Sequence, residues 1–529
     1  MLTWLRRLLG IDTFSHRRHV ADLSRDEAAE LVKRARESGE RYTADYLLDV
    51  FKKWWPDPLA QEAAEALVGL VSKANPYEWT RFYEGFRYLK MTREDVGNAA
   101  EVTGPAAIHL LGLASLNSSG YVREAAVKQL AATGSSAALP YVLLRLPDWV
   151  KQVRSAAQEA LDTLLGPESA ADIIKYYPII EHLQRVERVD LSSVRKRTTD
   201  ILLSSGGRPA VLAALDSSDG KQRRFVYRLL EPHLEEMPDV LDKSIGDASV
   251  AVRIWALRNA MRGNHEKIVA RLRSFVSDRD SRVRTMALRV VAQGYWDEFE
   301  TELRNAMFDI GGNVRWAAAY YLRKNGETDL AGVCRRKLAE SDIPPPGLLL
   351  GLSETGTPED FELVEPYAKH ARTKLRAAAI SALGRLDKEK AAPYALQGLR
   401  DNSGKVRRAA TAVLGKCAPG THLSEIREVI REGSPKVKTS ALQLLAGAGR
   451  WNVLADILEA VIDRNEDVAW AGWKALSRWS AEVWHAASPE DVARAKALLP
   501  KAVHKDPPVL ANVRVSWDNL KSKLDQLPS

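Results

Sequence analysis

A register of 31 residues runs through most of this chain and constrains its fold more than any other feature. Val-Arg steps end at Arg253, Arg284 and Arg315, each 31 residues after the one before. Chance does not maintain such a register over hundreds of residues, so the chain contains an internal repeat. From Arg315 to Arg376 the step is 61 residues, about two periods with one degenerate repeat between them. The positions aligned in this way are Arg123, Arg154, Arg195, Arg223, Arg253, Arg284, Arg315, Arg376, Arg407, Lys438 and Ala469.

Each repeat has the pattern of two amphipathic helices. In residues 277–294 the apolar side chains Val283, Ala287, Leu288 and Val291 recur at helical spacing, and the two-residue alternation of a strand is absent. Residues 265–276 supply the preceding helix. Counted from the Val of each Val-Arg step as zero, positions 0, +4 and +8 face the core, while +2, +6 and +9 face away. The sequence therefore predicts an all-α fold of stacked helix pairs.

An acidic or amide residue six positions before the Arg accompanies it in most repeats. This phrase, followed by small and apolar residues on a 31-residue period, resembles the HEAT-like repeats, and in particular the short repeats also found in the phycobilin lyase family. The resemblance covers roughly residues 105–480 and implies a right-handed α-α superhelix, an α-solenoid. It also implies a ladder in which each Arg pairs with the Asp of the next repeat. The ladder residues are Asp247, Arg253, Asp278, Arg284, Asp309, Arg315, Asp401 and Arg407.

The ladder residues invite two interpretations. An Asp just before a helix is expected to cap its free N–H groups, and the Arg to join neighbouring repeats. A row of arginines is also a pattern for binding phosphates. Because a carboxylate accompanies the cation in repeat after repeat, we favour the structural ladder.

Side chains at the outward positions vary between repeats, so we look for function there. Three consecutive repeats place Arg258, Arg289, Trp316, Tyr320 and Arg323 at these positions. Trp, Tyr and Arg are the residues most often found as interface anchors. In solenoids this face lines the concave surface, and we expect it to bind a partner.

A second aromatic group lies near residue 470. It contains Trp470, Trp473, Trp479 and Trp484, and Trp470 is our candidate contact residue there. The alternative for both aromatic groups is burial between helices, since Trp is often largely buried.

Composition excludes several classes of protein. Two distant cysteines, Cys334 and Cys417, support neither a disulfide framework nor a cysteine zinc site, and we predict no metal and no cofactor. No run approaches the length of about 20 apolar residues that a membrane span needs, and the start lacks a signal-peptide pattern. A cytoplasmic location is the expectation. The net charge of +8 over 529 residues permits an acidic partner without requiring nucleic acid.

No phosphate loop, nucleophile elbow or metalloprotease motif is present. We therefore predict a non-enzymatic scaffold or adaptor that binds a protein partner. The alternative is a nucleic-acid-binding solenoid, in its enzymatic form similar to the alkylpurine DNA glycosylases, which also use stacked HEAT-like helices with basic and aromatic residues. None of the outward positions in the three repeats is Asp or Glu, which disfavours that form. A lyase-type activity rests on the repeat resemblance alone.

Four regions follow from where the register holds. Residues 1–104 are helical but out of phase and predict an N-terminal cap, with Ser24 and Glu27 in the pattern of a capping box. Residues 105–342 predict a first repeat arm. A Pro-rich break near 342–348 separates it from a second arm, 343–485. Residues 486–529 predict a C-terminal helical cap, and residues 1–10 a short amphipathic helix.

Overall fold

The computed structural model describes residues 20, 23–38, 44–71, 91–183, 191–417, 420–448, 450–481, 485, 487–505 and 516–527. By contact density the chain divides into two compact units, residues 1–256 and 257–529. Every regular element within the described residues is a helix. The predicted all-α fold is confirmed, while the predicted amphipathic helix in residues 1–10 lies outside the described part.

The helices of the first unit range from one to four turns, and the last of them crosses the boundary between the units. They are α1 (Arg25–Ser38), α2 (Ala44–Trp54), α3 (Pro58–Val71), α4 (Arg93–Glu101), α5 (Pro105–Ala114), α6 (Gly120–Ala132), α7 (Leu139–Leu143), α8 (Lys151–Leu164), α9 (Ala170–Leu183), α10 (Ser192–Leu203), α11 (Arg208–Ala214), α12 (Gly220–Leu230), α13 (Pro238–Ile245) and α14 (Val250–Asn259).

The helices of the second unit follow the repeat register more closely. They are α15 (His265–Val276), α16 (Ser281–Gly294), α17 (Trp296–Asn305), α18 (Gly312–Lys324), α19 (Leu330–Ala339), α20 (Pro346–Thr355), α21 (Phe361–Val364), α22 (Thr373–Leu386), α23 (Lys388–Leu399), α24 (Gly404–Leu414), α25 (Leu423–Glu432), α26 (Pro435–Ala448), α27 (Leu454–Val461), α28 (Glu466–Leu476), α29 (Pro489–Val503) and α30 (Trp517–Asp525). Short 3₁₀ turns occur at Ser136–Ala138, Pro167–Ser169, Glu231–His233, Ala306–Phe308, Pro358–Asp360, Glu365–Lys369 and Arg450–Val453.

Many of the helices pack against their neighbour in sequence and against the equivalent helix of the next repeat. In the second unit α22, α24, α26 and α28 form one such row, and α23 and α25 pack against it. In the first unit α6 packs on α8 and α9 on α11 in the same way. This is the arrangement of an α-solenoid within each unit, in which a repeat buries its apolar face only against its neighbours.

Helical spacing of apolar side chains within each repeat positions the core. Val283, Ala287, Leu288 and Val291 of α16 are all buried. Some Val-Arg helices begin after a polar residue whose side chain caps the first turn, as in α16, where Asp280 accepts a hydrogen bond from the N–H of Arg282. At the N-terminus, the Ser24–Glu27 capping box is confirmed, since Ser24 and Glu27 each accept a hydrogen bond from the other's N–H group.

The degenerate repeat contains the Pro-rich segment. Helix α19 ends at Ala339 and α20 begins at Pro346, so the prolines connect two helices. One apolar core nevertheless continues across the segment, from Leu338 to Leu348. Helix α20 also lies close to the turn that precedes α18. A Cβ at Gly347 would lie 2.1 Å from the carbonyl oxygen of Phe308 in that turn. The division into two arms here stays a prediction.

At the C-terminal end an ion-pair network holds α29 against the last repeats. Arg427 donates to Asp491 at 2.6 Å and to Asp456 at 2.9 Å. Arg494 of α29 donates to the second oxygen of Asp456 at 3.1 Å. Both aspartates are buried, so their charges are balanced by these two guanidinium groups.

Candidate functional site

The ladder arginines connect each repeat to the one after it. Arg284 donates from Nε and Nη2 to the two carboxylate oxygens of Asp309, at 2.8 and 2.7 Å. Its third nitrogen, Nη1, donates to the carbonyl of Asp278 in its own repeat at 2.6 Å. One guanidinium therefore stabilises the turn before its own helix and also binds the turn of the next repeat through a bidentate ion pair.

The same geometry recurs along both units. Arg223 pairs with Asp247, and Arg376 with Asp401, in each case through Nε and Nη2. Arg253 donates from Nη1 to the carbonyl of Asp247 at 2.7 Å. Burial alone would raise the pKa of Asp247 and of Asp401, but the hydrogen bonds from their arginines bring the pKa of each carboxyl below its usual value.

Two ladder arginines take partners that the repeat phrase does not predict. Arg315 donates to both oxygens of Glu354 at 2.8 and 2.6 Å, because the degenerate repeat has no Asp in register. Arg407 donates from Nε to the hydroxyl of Ser440 at 3.1 Å. Its Nη1 still donates to the carbonyl of Asp401 at 2.8 Å, as in the other repeats.

The expectation that the ladder Asp caps the following helix is wrong in detail. Asp309 accepts a hydrogen bond from the N–H of Gly311 at 2.6 Å, and Gly311 is itself the N-cap of α18. Asp401 accepts from Ser403 in the same way, and the hydroxyl of Ser403 then caps α24. The Asp closes the turn two residues before the cap, since a short carboxylate side chain reaches the N–H two positions on.

The donors of the ladder arginines are thus directed into the protein. Arg315 uses Nε, Nη1 and Nη2 on Glu354 and on the carbonyl of Asp309, and its side chain is 3% exposed. Such an arginine presents little charge to a phosphate outside. The geometry of the ladder favours the structural interpretation over a phosphate track.

The outward face of α18 presents a pair of stacked aromatic rings. Trp316 is 68% exposed and Tyr320, one turn later, is 48% exposed. Their ring centroids lie 5.8 Å apart with an interplanar angle of 12°. Tyr320 also meets Tyr321 edge to face at 5.0 Å, and Tyr321 is buried. The exposed pair is therefore held in place from beneath, which suits it to act as a rigid anchor.

The predicted arginines Arg258, Arg289 and Arg323 are all exposed. Among the described residues, none forms an ion pair or a side-chain hydrogen bond with any of the three. Helix α16, which carries Arg289, packs directly against α18, which carries Arg323 and the stacked rings. The structure therefore holds two kinds of arginine, with the ladder residues paired internally and these three turned to solvent.

The tryptophans near residue 470 are mostly structural. Trp473 is buried and meets Trp517 edge to face at 5.8 Å. Trp479 packs on the buried Trp451 at 5.2 Å. Trp470 is 39% exposed with the ammonium of Lys474 5.1 Å from its ring centroid, and Trp484 lies outside the described residues. Of the three tryptophans of this group that the structure describes, Trp470 is the exposed one.

Several exposed or recessed groups of the first unit escaped the sequence reasoning. Tyr121 and Trp149 are exposed aromatic residues at the starts of α6 and α8. A cleft between α9 and α12 is lined by Tyr177, Phe225 and a set of basic side chains. The signal for it was available, because Arg224 and Arg228 occupy the outward positions +2 and +6 of a repeat in which Gln222 replaces the Val.

The described residues contain no group of three His, Cys, Asp or Glu side chains placed to bind a metal ion. Cys334 and Cys417 are both buried free thiols, and burial raises the pKa of Cys334 to about 11. Among the helices described, none is both long and apolar enough to cross a bilayer.

Comparison with known proteins agrees with this architecture. Residues 348–418 match the family described as HEAT repeats. This segment consists of HEAT repeats. The matched HEAT segment includes α20, α22 and α24, and therefore the degenerate repeat and the two regular ones after it. The resemblance to HEAT-like repeats drawn from the repeat phrase is confirmed over this segment.

Three solved structures are distantly similar to this chain. The S. pombe condensin Cnd3-Cnd2 subcomplex is 12% identical, with 90% of this chain and 73% of that chain covered and a TM-score of 0.34. Yeast importin-beta (Kap95p) is 13% identical, with 95% and 67% covered and a TM-score of 0.29. Kap121p bound to Nup53p is 14% identical, with 95% and 53% covered and a TM-score of 0.30. No curated protein sequence matches the chain.

Proposed function

We propose that this HEAT-repeat chain is a non-enzymatic scaffold that binds a protein partner through the outward face of its second helices around α16 and α18. We call the residues Arg289, Trp316, Tyr320 and Arg323 the contact face, with Arg258 and Trp470 as further contacts. The observation that carries the proposal is the stacked, exposed Trp316–Tyr320 pair beside arginines that have no internal partner among the described residues.

The residue types suit a protein interface. Binding energy in such interfaces is concentrated in a few Trp, Tyr and Arg side chains. Trp316 and Tyr320 are already ordered by stacking, so less side-chain entropy is lost when a partner covers them. The solenoid holds them on helices, which position side chains more rigidly than loops.

A protein partner fits better than nucleic acid because the contact face is local. Two and three repeats after α18, the outward positions of α22 and α24 hold mostly small residues. These are Ala377, Ser381, Gly384, Ala412 and Gly415, and Arg408 is the one charged residue among them. A backbone-binding surface for nucleic acid is a continuous basic stripe. We therefore treat nucleic-acid binding, and base repair in particular, as the outcome that would overturn the proposal.

Affinity purification of the tagged full-length chain, followed by mass spectrometry, tests the proposed contact face. The combined substitutions Trp316→Ala, Tyr320→Ala and Arg323→Ala should abolish recovery of the partner. Ile310→Ala is the matched control, since Ile310 is an exposed apolar residue on the turn of the same repeat and lies off the contact face. Undiminished recovery with the triple variant would show that the partner binds elsewhere.

Salt dependence separates the two classes of partner. A nucleic-acid complex should weaken steeply between low and physiological salt as counterions are released. We expect no such complex with duplex or single-stranded oligonucleotides, and no release of base from alkylated DNA. A salt-sensitive shift that Arg289→Glu removes and Lys267→Glu leaves intact would establish nucleic acid as the ligand instead.

We propose that the contact face lines the concave side of a right-handed superhelix, that residues 1–104 and 486–529 cap the array, and that the protein works in the cytoplasm. Fluorescence microscopy of the tagged chain and small-angle X-ray scattering test the location and the shape.

A further inference from the structure

The first unit contains a cleft whose lining includes no residue of the Arg–Asp ladder. It lies between α9 and α12, where the rings of Tyr177 and Phe225 stack with their centroids 3.5 Å apart and their planes inclined by 23°. The rest of its lining is Ile174, Pro178, Glu181, Lys221, Gln222, Arg224 and Arg228. The cleft therefore combines an aromatic wall from two helices with charged residues along its rim.

The size of the cleft limits what it can hold. Its volume is about 180 Å³. Pockets for cofactors and drug-sized ligands are typically about 300–1,000 Å³. The cleft has room for one or two side chains of a partner, and it is too small for a nucleotide or another whole cofactor.

The charge of the cleft is predominantly positive. Lys221, Arg224 and Arg228 follow one another along one face of α12 at helical spacing, and like charges so placed repel each other. Among the described residues Glu181 is the one carboxylate in the lining, and it meets Arg228 at 3.5 Å through two half-exposed side chains. Arg224 forms no ion pair with any described residue. An incoming anion would relieve the repulsion between these cations.

A fourth cation, Arg195, influences the pKa of Tyr177 in the aromatic wall. Burial raises the pKa of Tyr177 and the charge of Glu181 adds to the rise, while the positive charges of Arg195 and Arg228 oppose it. Arg195 belongs to the ladder series, but its side chain has no carboxylate partner among the described residues. The next repeat has Ser217 where the ladder Asp would stand, so the charge of Arg195 is left to act toward the cleft.

From these features we infer that the cleft between α9 and α12 binds an Asp or Glu side chain presented by an extended peptide segment of a partner protein. The carboxylate lies between Arg224 and Arg228, and the flanking residues of the peptide cover the Tyr177–Phe225 stack. This site is independent of the contact face of the second unit, because every residue in it belongs to α9, α12 or their immediate neighbours. Either site can therefore fail without the other.

Fluorescence anisotropy with the full-length chain tests the inference. The probe is a labelled peptide of glutamate, leucine and glycine, and its counterpart has every glutamate replaced by glutamine. The glutamate peptide should bind and the glutamine peptide should not. Arg224→Glu should raise the Kd of the glutamate peptide by about tenfold or more. Equal binding of the two peptides would overturn the proposal.

A matched variant separates the cleft from general attraction. Lys151→Glu makes the same change in net charge, and Lys151 lines a different depression on α8. It should leave the Kd almost unchanged, and an effect equal to that of Arg224→Glu would refute the site. Tyr177→Phe keeps the ring stack and should retain binding, with circular dichroism confirming the fold of each variant. If a single-stranded oligonucleotide displaces the peptide and binds more tightly, the occupant is nucleic acid and the proposal is wrong.

Discussion

Arg315 and Glu354 lie 39 residues apart in the chain and form the same bidentate ion pair that Arg284 and Asp309 form across 25 residues. The degenerate repeat lacks an Asp in register, and a glutamate at the end of α20 takes its place. Arg385 donates to the same carboxylate from α22. Burial alone would raise the pKa of Glu354, but the two guanidinium groups hold it below its usual value. The ladder of ion pairs therefore continues across the degenerate repeat, with Glu354 in place of an Asp.

Removing this carboxylate should destabilise the second unit. We expect Glu354→Ala to lower the free energy of unfolding by about 3 kcal/mol, since it leaves the buried Arg315 without its partner. Urea denaturation followed by circular dichroism measures the change. Glu300→Ala is the control, because Glu300 pairs with Arg304 between exposed side chains and should cost less than about 1 kcal/mol. Equal losses for the two variants would contradict the role given to Glu354.

Stability should fall in mild acid because of His109. Burial, with a smaller effect from the charge of Lys175, lowers the pKa of His109 from 6.5 to about 4, and its Nδ1 shares a 2.6 Å hydrogen bond with the hydroxyl of Tyr141. Below pH 6.5 the His109 imidazole binds a proton in the unfolded chain but stays neutral in the folded chain. The stabilisation of the folded chain by neutral His109 is therefore complete above pH 6.5 and is lost as the pH falls toward 4. The loss amounts to about 3 kcal/mol.

Thermal denaturation between pH 7 and pH 4 checks this. His109→Gln should flatten the decline of Tm with falling pH, since the glutamine has no proton to gain. The same change at the exposed His182 serves as the control and should leave the decline as it is in the unmodified chain. An unchanged slope in His109→Gln would show that other groups cause the acid sensitivity.

Close backbone contact should make Gly347 intolerant of any side chain. A Cβ there would lie 2.1 Å from the carbonyl oxygen of Phe308 and 2.3 Å from that of Asp309, and backbone atoms yield little. Gly347→Ala should cost about 1–3 kcal/mol through forced displacement of α20. Gly294→Ala is the matched variant, since no atom lies within 4 Å of its added Cβ, and it should be neutral or stabilising. Urea titrations of the two variants decide the point.

The two tryptophan groups should differ in what they contribute to stability. Trp316→Ala should change the free energy of unfolding by less than about 1 kcal/mol, because its ring is mostly exposed. Trp473→Ala should cost about 3–5 kcal/mol, because that ring is buried in the last repeats. Differential scanning calorimetry measures both. A large loss from Trp316→Ala would assign the stacked pair to the fold and remove it from the proposed contact face.

Much of the fold was accessible from the sequence because it is periodic. The core positions of α16, such as Val283 and Val291, follow from helical spacing alone, and both are buried as predicted. Exposure of Trp316 and Tyr320 also follows from counting positions around the helix. The ladder Asp was misplaced by two residues, since a sequence pattern does not distinguish an aspartate that closes a turn from one that caps the helix after it.

The sequence by itself determined the repeat, the helix pairs and the faces of the regular helices, because these depend on neighbours within one or two turns. Only the tertiary structure decided which distant groups meet. It brought Glu354 to Arg315, buried Trp473 while leaving Trp470 partly exposed, and placed Glu181 beside Arg228 across 47 residues. These pairings depend on how successive repeats pack where the register is broken, and at those places periodicity carries no information about the partner.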